Sequence, residues 1–137
     1  MTTLVEKADK FVLNLFEQKL PNSFLYHNYR HSQRVVKSTK ELIENSEIDV
    51  KQEEALLVAA WFHDTGYTVT FEGHEEESEK IAREFLRSEN ADEQFINDVS
   101  RCILATKFNA AEPNDLLEKI IKDADTSHLA KGYFEET

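Results

Sequence analysis

His63 and Asp64 stand side by side at the end of an apolar run from Ala55 to Phe62, immediately before Thr65-Gly66-Tyr67. At a helix terminus such a pair can bring one imidazole nitrogen and one carboxylate oxygen to a single metal ion. On a helix the two side chains diverge by about 100°, so they meet only at an ion lying off the helix end. A further histidine, His31, lies upstream, and an acidic doublet, Asp123 and Asp125, lies downstream. This spaced set of His, His-Asp and Asp points to a metal-dependent hydrolase.

The chain that must position these groups has 137 residues, enough for one domain with a single core. Hydrophobic residues make up 40% and charged residues 31%, the balance of a soluble globular protein. With three glycines and two prolines, helices joined by short loops fit better than a many-stranded β fold. The expected fold class is all-α, a bundle of about six helices in one domain.

A net charge of −11 argues against duplex nucleic acid as a partner, since phosphate backbones are held by clustered Lys and Arg. A small phosphorylated substrate remains compatible if a metal and a few cations are focused in a cleft. The single cysteine, Cys102, excludes an internal disulfide and a multi-cysteine zinc site, and its place between Val99 and Ile103 suggests a core thiol. There is no apolar run of membrane-spanning length and no signal-peptide core at Met1. The default expectation is a cytoplasmic protein with no membrane partner, its oligomeric state open.

Periodicity places a first helix from Leu4 to about Leu20, ended by Pro21, and a second from about Asn28 to Asn45. Asp49 is expected to cap a third helix running toward His63, with Gly66 as a left-handed residue beyond its end. Further helices are expected over about His74–Arg87, Asp92–Thr106 and Asn114–Ala130, the last capped by Asn114 or Asp115 after Pro113. The run Glu75-Glu76-Glu77 suits a first helical turn, where carboxylates oppose the macrodipole.

On the second helix His27, His31, Arg34 and Ser38 share one flank of the apolar stripe formed by Val35, Val36, Leu42 and Ile43. On the last helix Leu116, Leu117, Ile120, Ile121 and Ala124 define the stripe. Asp123 and Asp125 fall on opposite sides of it, so periodicity does not choose between them; His128, three residues from Asp125, leans toward the latter.

Five blocks of this sequence resemble, in order, the HD superfamily of metal-dependent phosphohydrolases. They are Tyr26-His27-Asn28-Tyr29-Arg30-His31, Ala59 through Tyr67 around His63-Asp64, His74-Glu75-Glu76-Glu77-Ser78, Leu104-Ala105-Thr106-Lys107 and Asp123-Ala124-Asp125. The likeness covers about Tyr26 to Ala130. It implies that His31, His63, Asp64 and Asp125 are the ligands of one divalent ion, selecting Asp125 from the doublet. Such a set suits Mn, Fe, Co, Ni or Zn, with Mg as a further candidate. The ion would lower the pKa of a water and stabilise charge on a phosphoryl oxygen. A small phosphate ester such as a nucleotide would then be hydrolysed by metal-activated water.

Arg34 and Lys107 are the candidate cations for the substrate phosphate, with His27 in an accessory role. His74 is a helix cap, a surface residue or a residue backing the metal ligands, or, as in some two-metal relatives, a ligand of a second ion. Lys107 stands where two-metal relatives often carry a further histidine, and Tyr67-Thr68 where guanosine tetraphosphate hydrolases carry Glu-Asp. Both departures point to a simpler, one-metal hydrolase. The chain stops soon after Asp125, where relatives usually carry further helices, so it is expected to be a C-terminally incomplete domain. The alternative function is a non-catalytic module binding metal and nucleotide for regulation. A third reading, an acidic structural domain, would bind no metal.

Overall fold

A computed structural model of the chain describes residues 3–107, 112–113 and 115–125. Its elements run α1 (Leu4–Lys19), α2 (Asn22–Glu44), α3 (Val50–Phe62), the 3-10 turn η1 (Thr65–Thr68), α4 (His74–Ser88) and α5 (Glu93–Leu104). Residues 116–125 form a further helical segment. Among the described residues there is no strand, and the architecture is all-α. No helix among them is long and apolar enough to cross a membrane.

The helix ends follow local chemistry. Asp49 accepts a hydrogen bond from the Gln52 amide at 2.8 Å, and the Gln52 side chain accepts in return from the Asp49 amide, so α3 begins with a reciprocal cap. Asp92 caps α5 through the Phe95 amide at 2.8 Å. Asp115 accepts from the Glu118 amide at 3.1 Å and so caps the last helical segment; Asn114 and residues 126–130 lie outside the described residues.

Two expectations at helix ends are corrected. Helix α2 starts at Asn22 rather than about Asn28. Pro21, with φ −60°, suits the entry to a helix, and its carbonyl accepts from the Leu25 amide at 2.9 Å. Gly66 is not left-handed: among the described residues Gly73, at φ 72°, is the positive-φ glycine, and Gly66 sits inside η1. The reason for glycine at 66 is close approach, described with the site below.

Helix α3 is the centre of the fold. Every residue from Leu56 to Phe62 except Leu57 is buried, and α1, α2, α4 and α5 all pack on this helix. A helix apolar on all sides is stable only when covered on all sides. The covering stripes are Ala8, Val12 and Phe16 from α1, Val35 and Val36 from α2, Ala82, Phe85 and Leu86 from α4, and Phe95, Ile96, Val99, Cys102 and Ile103 from α5. Leu117, Ile120, Ile121 and Ala124 bury the last segment, whereas Leu116, expected in that stripe, stays largely exposed. The consequence for function is that the end of α3, and with it His63, is held from several sides at once.

Candidate metal centre

The end of α3 is fixed by short hydrogen bonds. The Thr65 hydroxyl donates to the Phe62 carbonyl at 2.7 Å, and the Tyr67 amide to the Asp64 carbonyl at 3.2 Å. The chain therefore turns into η1 directly after His63, swinging Asp64 to the same side as the histidine. His63 Nδ1 donates to the Ala60 carbonyl at 2.7 Å. This bond commits Nδ1 to carry a proton and aims Nε2 at the cluster.

Around His63 Nε2 the groups expected as ligands converge. His31 Nε2, from α2, lies 3.3 Å away, and Asp125 Oδ1, from the last helical segment, 3.6 Å away. Asp64 Oδ2 is 3.4 Å from His63 Nε2 and 3.3 Å from His31 Nε2, and Asp125 Oδ1 is 3.3 Å from His31 Nε2. Bonds of about 2.0–2.2 Å to a divalent ion place neighbouring ligand atoms about 3–3.6 Å apart. His31, His63 and Asp125 form a group with the spacing of a metal site, and Asp64 reaches both histidines over the same distances. His31, His63 and Asp125 have the spacing to hold a divalent ion, and Asp64 lies beside both histidines.

The electrostatics carry the same message. Burial, the largest influence on His63, works to lower its pKa, but Asp64 and then Asp125 outweigh it and hold the imidazole up at about 10. Burial also works against ionised Asp125, yet its hydrogen bonds to His31 and His63 bring its pKa well below the ordinary carboxylate range. Asp64 is likewise lowered, with His63 the main favourable partner against burial. The protein thus keeps one buried and one half-buried carboxylate charged against a positive charge, the arrangement a cation would also satisfy.

Of the remaining sequence candidates, His74 joins the cluster's edge. Its Nε2 lies 3.4 Å from Asp64 Oδ1 and 3.4 Å from Glu75 Oε2. Asp64 therefore offers one oxygen to the histidine pair and the other to His74. Arg34, one turn beyond His31 on α2, is half-buried. Lys107 forms an ion pair with Glu76 in the first turn of α4, which raises the lysine's pKa and lowers the glutamate's. His27 is exposed, and among the described residues no contact links it to the cluster. Asp123 pairs with Lys119 at 3.2 Å on the outer side of its helix. His128 lies outside the described residues.

Two residues shape the site that spacing arguments did not single out. Ser78 on α4 accepts from the Gly66 amide at 2.8 Å and donates to the His63 carbonyl at 2.9 Å, pinning η1 and the end of α3 to α4. A Cβ at Gly66 would lie 1.8 Å from the His74 carbonyl oxygen, so only glycine permits this approach. A signal for Ser78 existed: its hydroxyl stands in line with the apolar positions Ala82, Phe85 and Leu86 of α4. Tyr67 stacks on His74, ring centroids 3.9 Å apart and planes 14° from parallel. It covers the imidazole that faces Asp64.

No curated protein and no solved structure matches the chain. The family model described as HD domain matches residues 28–130. That span is most of the chain and contains His31, His63, Asp64, His74 and Asp125, the residues whose side chains meet at the end of α3. The chain belongs to the HD domain family, a superfamily of metal-dependent phosphohydrolases.

Proposed function

We propose that this protein hydrolyses a small phosphate ester, a nucleotide being the leading substrate class, with one divalent ion held by His31, His63, Asp64 and Asp125. The observation that carries the reading is the convergence of His31 Nε2, His63 Nε2 and Asp125 Oδ1 at separations of 3.3–3.6 Å, with Asp64 Oδ2 3.3 and 3.4 Å from the two histidine nitrogens. The ion's chemistry, when bound, is to acidify a water toward neutral pH and to offset charge on the phosphoryl group.

The chain's own groups do the rest. The Ala60 carbonyl orients His63, and His74 orients Asp64 from its far oxygen. Arg34, half-buried one turn from His31, is the candidate to bind the substrate phosphate. Lys107 would join it by exchanging Glu76 for the substrate. Cys102 is unsuited as a nucleophile, because it is buried and burial pushes its thiol up to about 12. Water is therefore the attacking group this site supports.

The test is phosphate release from a panel of nucleotides and sugar phosphates in the presence of Mn, Co, Ni or Mg. The wild-type protein is expected to turn over at least one member, and His63→Ala to lose both bound metal and turnover. Retained hydrolysis in a metal-free His63→Ala/Asp64→Ala protein would overturn the reading. Binding of metal and nucleotide with no turnover across the panel would instead support the regulatory alternative.

A further inference from the structure

The segment after η1 carries two large apolar side chains into solvent beside the candidate metal centre. Phe71 is 82% exposed, the highest value among the large hydrophobics of the described residues, and Val69 is 62% exposed. Isolated exposed apolar residues are ordinary, so exposure alone says little. What distinguishes these two is the scaffold that holds them. The Val69 and Thr70 amides both donate to the Gly66 carbonyl, at 2.9 and 3.0 Å, and the Thr70 hydroxyl donates to the Glu72 carbonyl at 2.9 Å. Gly66 is itself tied through Ser78 to His63. The apolar residues thus project from a hydrogen-bonded segment anchored to the cluster.

The rings also form a continuous path outward. His74 faces Asp64 at 3.4 Å; Tyr67 stacks on His74 at 3.9 Å; Phe71 meets Tyr67 at 5.7 Å and 51°. Tyr67 fills the inner position, and Phe71 presents a ring to water. Two ring contacts, of 3.9 and 5.7 Å between centroids, link Phe71 to the imidazole beside the cluster. We propose that Phe71, backed by Tyr67, is the stacking surface for the nucleobase of a nucleotide whose phosphate lies at the His31, His63, Asp64 and Asp125 cluster. The phosphate's position rests on the phosphohydrolase reading, whereas the stacking surface does not. An aromatic ring suits this occupant because every base has a π-face, and stacking requires no particular hydrogen-bond pattern.

The experiment measures equilibrium binding of adenosine, AMP, ribose 5-phosphate and hexyl phosphate to the full chain and to its Phe71→Ala and Phe71→Trp variants. Adenosine and AMP are expected to bind about fivefold or more weakly to Phe71→Ala, the lower end of what one base–aromatic stack contributes. Phe71→Trp should restore their binding, with quenching of the new indole, while ribose 5-phosphate is unchanged throughout. The proposal is overturned if adenosine fails to bind, if Phe71→Ala leaves AMP binding intact, or if hexyl phosphate is weakened as much as AMP. Conversion of a dimer to a monomer by Phe71→Ala would also overturn it, assigning the surface to a second copy. Adenosine binding that depends on Phe71, with no phosphate released from any member of the nucleotide and sugar-phosphate panel, would uphold the stacking surface and sink the phosphohydrolase reading alone.

Discussion

The choice between Asp123 and Asp125 is decided two residues apart on one helix. Angles around the helix axis leave them equivalent; the resemblance favours Asp125, and the folded chain brings Asp125 to His31 and His63 while Asp123 pairs with Lys119. Asp125→Ala is therefore expected to lose bound metal and Asp123→Ala to keep it, as read by elemental analysis of purified proteins. Protons would compete with the proposed metal ion at the same atoms. His63 is raised from 6.5 to about 10 in the metal-free protein, so its charged form favours folding. That contribution is fully present below about pH 6.5 and is lost as pH rises through about 10. The melting temperature of chelator-treated protein should fall across that window, and saturating Mn should remove most of the fall. A fall of equal size with and without metal would show that His63 is not where the ion binds. The candidate residue types were legible in the sequence because few residues hold divalent ions. The orientation of His63 was not, because it depends on a hydrogen bond to the backbone of its own helix.

At the scale of elements, the site depends on how η1 is pressed against α4. Replacing Ser78 by Ala leaves the Gly66 amide and the His63 carbonyl without their shared partner, a loss of about 1–3 kcal/mol for a buried group left unpaired. Gly66→Ala must displace the His74 backbone, and overpacking of this kind typically costs about 1–3 kcal/mol. Urea denaturation is expected to show both losses, and both variants should bind metal more weakly because His63 and Asp64 shift together. Unchanged stability in Gly66→Ala would mean that the close contact relaxes freely. Most helix boundaries could be read from the sequence, since Asp49 and Asp92 are strong caps ahead of periodic stripes. The early start of α2 could not, because a helix running through Phe24 and His27 is sustained by its covalent continuity with the buried turns that follow. At Gly66 the sequence misleads, because a left-handed turn and a close contact both require a missing Cβ, and spacing cannot separate them.

Across the whole molecule, a chain of net charge −11 gathers His31, His63 and His74 at a single point among carboxylates. The helix that brings them together, α3, contributes almost no polar surface over its last two turns. Its burial by four neighbours makes the end of α3 a rigid origin from which His63 and Asp64 project. The all-α class followed from the scarcity of glycine and proline and from helical periodicity. The meeting of α2, α3, α4 and the last segment at one point did not, because it depends on packing between residues far apart in the chain. We propose this meeting point as a one-metal hydrolytic site. It is tested most directly by stripping the protein of metal and adding Mn back while following phosphate release from the best substrate of the panel. Turnover should rise in proportion to added metal and level off at about one ion per chain. Turnover that survives stripping, or that stays absent when the ion is bound, would contradict the account.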